Sequence, residues 1–141
     1  MIRRVTTDRQ VTEHEFPTED INDTLHALIG EKCFLYERVR PKRLYIELGH
    51  PSDYYSDISV TMLVDEEGIY HELKENPFAS WLYETDKHGW PIWGDVLFIG
   101  ESAVEDGIDF CDMCEATVEK LKEQVKEFNK KRSAALPKQR I

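Results

Sequence analysis

The spacing best suited to chemistry in this sequence is a pair of cysteines, Cys111 and Cys114, separated by two residues. Such a pair forms half of a zinc site or a dithiol redox centre. Zinc requires two further ligands, and no second cysteine pair or matching histidine pair supplies them. The scattered candidates are Cys33, His50, His71 and His88. The ligand count therefore argues against a zinc site.

A redox role for the same pair depends on the pKa of its thiols. The pair lies near the predicted start of a helix, where thioredoxin-like cysteines also lie. However, Asp109, Asp112 and Glu115 surround it, and negative neighbours raise a thiol pKa. We therefore favour a third interpretation, in which Cys111 and Cys114 are small packing residues on the helix.

No other group of residues predicts catalysis. The 5 histidines are scattered without the grouping of a Ser-His-Asp or Cys-His centre. The many carboxylates form no recognisable pair of general acid and base. Neither a GxxxxGK[ST] loop nor a GxGxxG loop is present. We predict a protein that is not an enzyme and that holds no cofactor or metal.

Aromatic residues supply the predicted contact site. Trp90 and Trp93 bracket Pro91 beside a polar loop, and half-exposed tryptophans in such a place mark an interface or the wall of a ligand pocket. The alternative is that they join Trp81 and Tyr83 in anchoring a short helix to a strand. A second candidate contact, in another polar loop, is Tyr54 and Tyr55.

Charge is distributed unevenly along the 141 residues. Residues 1–114 carry 10 Lys/Arg and 24 Asp/Glu, a net charge of −14, whereas residues 115–141 carry 8 and 4, a net charge of +4. An acidic body repels a phosphate backbone, which argues against direct nucleic-acid binding. The acidity either serves solubility or fits a basic groove on a partner protein.

The sequence predicts a cytoplasmic protein without a membrane span. No segment reaches the roughly 18 apolar residues that a membrane helix needs. The N-terminus has no apolar run after Arg3 and Arg4 and does not resemble a signal peptide. Three cysteines suit a reducing compartment.

The elements that must position these residues alternate between strands and helices. Ile2–Val11 reads as a strand or an extended arm. The segment Thr18-Glu19-Asp20-Ile21 begins a helix that Thr18 is expected to cap and that Gly30 ends, with Ile21, Leu25, Leu28 and Ile29 on one face. The remaining predicted strands are Cys33–Val39, Leu44–Leu48, Ile58–Val64, its hairpin partner Ile69–Leu73, and Pro91–Gly100. Asn76 is expected to cap a short helix that begins at Pro77 and runs through Tyr83, and a polar loop follows over 85–90.

A long helix is predicted over residues 109–132, followed by a flexible tail over 133–141. Apolar residues repeat along it at alternating spacings of three and four. They are Cys111, Cys114, Val118, Leu121, Val125 and Phe128. This seam allows a homodimer through the helix, and it equally allows packing on the chain's own sheet.

Together these elements predict one α+β domain over residues 1–132. It has a mostly antiparallel sheet of about five strands, two short helices packed on one face, and the long C-terminal helix.

The order of elements resembles an uncharacterised family of small phage, plasmid and bacterial proteins that carry a Leu-Pro-Pro-Asn-Arg segment before the short helix. The matching stretches are Ile21–Gly30, Val64–Gly68, Leu73–Tyr83 and Gly94–Gly100. Asn76 aligns with the Asn of that segment, while the two prolines and the Arg are replaced. The resemblance covers roughly residues 1–101 and implies an accessory protein of a mobile element, with Asn76 as a further contact candidate.

Three hypotheses of function follow. The first is a non-enzymatic accessory protein of a phage or mobile element that modulates a host protein through an acidic surface. The second is a protein that binds a small nucleotide-like ligand near Trp90 and Trp93. The third, which the residues favour least, is an enzyme or zinc protein that uses Cys111 and Cys114.

Overall fold

A computed structural model describes residues 1–48 and 59–139, which form an α+β domain. The described strands are β1 (Ile2–Val5), β2 (Val11–His14), β3 (Tyr36–Val39), β4 (Ser59–Asp65), β5 (Val96–Val104) and β6 (Gly107–Cys111). The described helices are α1 (Ile21–Ile29), α2 (Lys42–Glu47), α3 (Pro77–Leu82), α4 (Thr85–His88) and α5 (Glu115–Gln139).

The strands form one antiparallel sheet in the order β2-β1-β5-β4-β3, with β6 paired to the second half of β5. The predicted α+β class and antiparallel sheet are confirmed. The strand predicted over Pro91–Gly100 is central, as its apolar run indicated, although it starts later, at Val96. β4 pairs with both β3 and β5, so it is also an interior strand.

Each face of the sheet has its own apolar core. One face, which we call the α5 face, packs Val60, Met62 and Phe98 against α2, α3 and α5. The other, which we call the α1 face, packs Leu63, Leu97 and Ile99 against α1. The prediction that both short helices cover one face is therefore wrong. β4 is buried on both sides from Val60 to Asp65 and β5 from Val96 to Glu101, and the continuous apolar run Val96–Ile99 of β5 matches that position.

Two predicted strands are not strands. Leu44–Glu47 belongs to the helix α2, and Leu48 follows it. The neighbouring residues Leu44 and Tyr45 are both buried while Ile46 is 61% exposed. This pattern is helical, since successive residues of a strand would point to opposite faces. Ile69–Leu73 does not return as a hairpin partner of β4 but forms a series of turns. Both edges of β4 are already taken by β3 and β5, so no edge remains for it.

The C-terminal helix begins later than predicted. Residues 107–111 form β6, and α5 starts at Glu115 and continues through Gln139, across most of the predicted tail. The backbone at the end of β6 passes close to Gly100. A Cβ atom at Gly100 would lie 2.6 Å from the carbonyl oxygen of Asp112.

The N-terminal ends of α1 and α3 are capped differently. Asn76 caps α3 as predicted, since its side chain accepts a hydrogen bond from the Ala79 amide. For α1, the prediction of Thr18 as the cap is wrong, because Asp20 occupies that position and makes no side-chain cap bond. The segment predicted as a loop over 85–90 contains one helical turn, α4. No helix among the described residues is both long and apolar enough to cross a membrane.

Candidate functional site

Two loops meet where β3 begins and β4 ends. The first follows α1, which ends at Gly30 with its amide bonded to the His26 carbonyl, and the Cys33 amide then bonds to Gly30. The second follows Asp65, and the Glu66 amide donates to the Leu35 carbonyl at 3.0 Å. Because the β3–β4 ladder pairs Tyr36 with Asp65, the two loops leave the sheet side by side.

The second loop is held in shape by its own hydrogen bonds. Backbone amides within residues 65–73 bond to carbonyls of the same loop at 3.0–3.2 Å. The Asp65 carboxylate, whose side chain is 2% exposed, accepts from the Glu67 amide at 2.9 Å and pairs with His71 Nδ1 at 2.7 Å. Gly68 packs under the loop, where an added Cβ would lie 2.9 Å from the Trp93 Cβ. The loop is therefore ordered by polar contacts and not by burial of its tip.

Large apolar side chains protrude from both loops. Phe34 is 76% exposed and Leu35 is 55% exposed in the first loop. Ile69 is 60% exposed and Tyr70 is 82% exposed in the second. We call these four residues the apolar patch. Scattered single apolar residues on a surface need no explanation, but apolar residues grouped on adjacent, ordered loops are typical of interaction sites.

The two segments that carry the apolar patch are acidic. Residues 30–39 and 65–74 contain six acidic and three basic residues, a net charge of −3. The acidic residues are Glu31, Glu37, Asp65, Glu66, Glu67 and Glu72. The charges are close enough to affect one another, since burial and then the nearby Glu66 raise the pKa of Glu37. Asp65 is buried and paired with His71, so the other five carboxylates form the negative rim of the apolar patch.

The predicted tryptophan site is divided. Trp90 is 73% exposed on a turn in which its amide bonds to His88 and its carbonyl accepts from Thr85. Trp93 is partly buried beneath Gly68. Trp81 packs against the α5-face core. Neither Trp90 nor Trp93 lines the groove described below, and a ligand pocket between them stays a prediction.

The other predicted contact residues lie elsewhere. Asn76 is 0% exposed, and its side chain is satisfied inside the domain by Ala79, Val5 and Gly94. It holds α3 to β1 and presents no group at the surface. Tyr54 and Tyr55 lie outside the residues that the structure describes.

The predicted self-association seam faces the chain's own core. Leu121 is 2% exposed, and Val118, Val125 and Phe128 are partly buried against the same cluster. Phe128 makes an edge contact with Phe78 of α3, with ring centroids 5.6 Å apart. Of the two arrangements that the seam allows, the structure shows packing on the sheet. A homodimer through these residues would have to displace those contacts.

The two cysteines of the pair occupy different elements. Cys111 ends β6 and is partly buried, and Cys114 immediately precedes α5 and is exposed, so the interpretation of both as packing residues on the helix is wrong. Burial and then Asp112 raise the pKa of Cys111. The expectation of a raised pKa fails for Cys114, because a hydrogen bond with the Thr117 hydroxyl at 3.1 Å and the first amides of α5 lower its pKa. Among residues 1–48 and 59–139, no group of three or more metal-binding side chains could hold an ion.

Sequence reasoning missed the apolar patch and the Asp65–His71 pair. The sequence pattern predicts Ile69 and Tyr70 in the strand Ile69–Leu73, where alternate residues would be buried, and Phe34 and Leu35 in the strand Cys33–Val39. Only the acidity of these segments follows from the sequence. No family model, curated protein or solved structure matches the chain.

Proposed function

We propose that this domain is a non-enzymatic binding protein that holds a basic partner protein through the apolar patch. The observation that carries the proposal is the exposure of Phe34, Leu35, Ile69 and Tyr70, each at 55% or more, on two hydrogen-bonded loops. Binding would remove these side chains from water, which is favourable at roughly 25 cal/mol for each Å² of apolar surface buried.

Loop order supports the proposal on energetic grounds. Association costs free energy for every segment that must be ordered in the complex. The Asp65–His71 pair and the internal amide bonds of residues 65–73 already fix the second loop. The partner therefore meets a surface whose backbone needs little further ordering.

The negative rim indicates the charge of the partner. Complementary charges around an apolar centre raise the association rate and exclude partners of the wrong sign. The patch segments carry −3 and the body −14. A partner with basic residues around an apolar contact fits this surface, and its binding should weaken as salt screens the charges.

The partner we propose is a host protein, with the domain acting in the cytoplasm as an accessory protein of a phage or other mobile element. The sequence resemblance to such proteins is the support for this context. Modulation of a host protein requires no catalytic group, in agreement with the hypothesis that the chain is not an enzyme.

The test compares three tagged proteins in a pull-down from host lysate: the wild type, a Phe34→Ser/Tyr70→Ser variant, and a control. Ile46→Ser is the matched control, because Ile46 is 61% exposed on α2, away from both loops. Proteins captured by the wild type are identified by mass spectrometry, purified and titrated against all three.

Support for the proposal is a purified partner that binds the wild type and Ile46→Ser equally, that binds the patch variant at least tenfold more weakly, and whose Kd rises with salt. Equal binding of all three proteins would exclude the apolar patch as the interface. Affinity that does not change between low and high salt would exclude the role of the acidic rim.

A further inference from the structure

A groove on the α5 face has the opposite character to the apolar patch. It has a volume of about 170 Å³ and lies between the first two strands and α5. Its floor is apolar and its rim is cationic. The lining residues are Arg3, Val11, Leu121, Lys122, Val125 and Lys126. We call it the α5 groove.

The floor combines one exposed apolar residue with two that the core already covers. Val11 is 42% exposed on β2, Leu121 is 2% exposed, and Val125 is partly buried. An apolar side chain inserted here would cover Val11 and extend the core that Leu121 already joins. The groove is thus suited to one apolar anchor from another molecule.

The rim sets the charge that the groove accepts. Lys122 is 51% exposed and lies 3.5 Å from Glu119, and Arg3 pairs with Glu13. Lys126 forms no ion pair within the part of the chain that the structure describes. Lys122 and Lys126 lie one helical turn apart, about 6 Å along the axis, so both can reach carboxylates on either side of one anchor.

The groove also lies at an end of the sheet. β2 and β3 are the terminal strands of the order β2-β1-β5-β4-β3, so the groove beside β2 and the apolar patch beside β3 are on opposite edges. Residues 115–131 of α5 carry five Lys and four Glu, a net charge of +1, whereas residues 1–114 carry −14. An acidic molecule is therefore repelled less by α5 than by the body, and Lys122 and Lys126 supply the attraction at the groove.

We propose that the α5 groove binds an acidic segment of a second protein, with one apolar side chain in the groove and flanking carboxylates on Lys122 and Lys126. The domain would then bridge two partners of opposite charge from opposite edges of its sheet. This proposal goes beyond the function proposed above, because the α5 groove shares no residue with the apolar patch.

The test uses a blocked hexapeptide, Glu-Glu-Leu-Phe-Glu-Glu, titrated into the isotope-labelled full chain and followed by amide chemical shifts. Two control peptides replace all Glu by Lys, or the Leu-Phe pair by Ser-Ser. We expect saturable shifts at Val11, Leu121 and Val125 with the acidic apolar peptide. We expect none with either control peptide.

Charge-reversal variants separate the α5 groove from general attraction to the helix. The variant Lys122→Glu/Lys126→Glu should bind the acidic peptide with a Kd at least tenfold higher than that of the wild type. The control variant Lys120→Glu/Lys130→Glu makes the same charge change on the same helix but outside the groove. Its Kd for the acidic peptide should rise less than threefold. Equal losses in both variants, or no shifts at millimolar peptide, would overturn the proposal.

A further arm keeps this test apart from that of the apolar patch. The Phe34→Ser/Tyr70→Ser variant should bind the acidic peptide as the wild type does. If this variant no longer binds the acidic peptide, the peptide binds at the apolar patch and the α5 groove is not its site. If it binds normally but fails to bind the host protein, the two surfaces act independently, as proposed.

Discussion

The imidazole Nδ1 of His71 lies 2.7 Å from the buried Asp65 carboxylate and closes the loop that carries Ile69 and Tyr70. Asp65 is the last residue of β4, so the contact ties the tip of the loop to the central sheet. This pair connects the stability of the domain to the geometry of its proposed interface.

Removing the imidazole should loosen that loop. His71→Ala leaves the Asp65 carboxylate, with its side chain 2% exposed, short of one of its two partners. A buried polar group left unsatisfied costs about 1–3 kcal/mol. We expect the free energy of unfolding, measured in urea, to fall by that amount. Amide hydrogen exchange at residues 67–73 should accelerate. His71→Gln, which can still donate to Asp65, should recover part of the loss. Equal stability of His71→Ala and wild type would show that the contact contributes nothing.

A second prediction concerns Gly100, which lies close to the backbone at the end of β6. A Cβ at this position would lie 2.6 Å from the Asp112 carbonyl oxygen and 2.8 Å from that of Cys111. Because these are backbone atoms, they cannot move aside as a side-chain tip would. We expect Gly100→Ala to lower the free energy of unfolding by about 1–3 kcal/mol, measured by urea denaturation.

Gly30 provides the matched control. A Cβ at Gly30 would meet nothing within 4 Å, and its backbone is extended, with φ 168°. Gly30→Ala should therefore be neutral or stabilising by up to about 1 kcal/mol, through the unfolded chain. A larger loss at Gly30 than at Gly100 would contradict the packing described here.

Several elements could be predicted because local signals and burial agree. α1 has apolar residues at helical spacing and ends at Gly30, and α3 has Asn76 and Pro77 at its start. The alternating β-branched run of β4 likewise identifies a strand. In each case the pattern that favours the element also buries its apolar face.

The sequence predictions fail where the same apolar residues fit both the helical and the strand spacing. Leu44 and Tyr45 fit a short strand or one helical turn, and only packing against the core decides between them. The residues after Asp65 read as a hairpin strand, but β5, from far along the chain, takes that edge of β4. The apolar patch cannot be predicted for the same reason, because the exposure of its residues follows from the pairing of β4 with β5, which no local pattern encodes.

A third prediction concerns pH. Burial, and then Asp65 and Glu67, raise the pKa of Cys33 from 9.0 to about 11. A raised pKa means that the folded state favours the neutral thiol. Its contribution to stability is complete below pH 9 and is lost as the pH rises towards 11. We expect the stability difference between wild type and Cys33→Ala to shrink by about 2 kcal/mol between pH 8.5 and 10.5.

Measuring this difference by urea unfolding at each pH cancels the other groups that titrate in the same range. A gap that stays constant across the range would show that Cys33 ionises equally well in the folded and unfolded chains. A stability difference that grows with pH would show that the pKa of Cys33 is lowered in the folded state and not raised.

The last prediction ranks the three thiols by reactivity. Alkylation requires the thiolate, so the order should follow pKa and exposure. Cys114 is exposed and its pKa is lowered, first by the Thr117 hydroxyl. Cys111 is partly buried with a raised pKa, and Cys33 is buried. Iodoacetamide at neutral pH, followed by mass spectrometry, should label Cys114 first and Cys33 last.

Thr117→Val tests the assigned cause, because it removes the hydroxyl that lies 3.1 Å from the Cys114 sulfur and keeps the side-chain shape. The pKa of Cys114 should rise, and its labelling near neutral pH should slow severalfold while the rates at Cys111 and Cys33 stay the same. The rate at high pH, where Cys114 is fully ionised, should not fall. An unchanged rate at neutral pH would assign the lowered pKa to the amides at the start of α5, and equal labelling of Cys111 and Cys114 in the wild type would contradict the ranking itself.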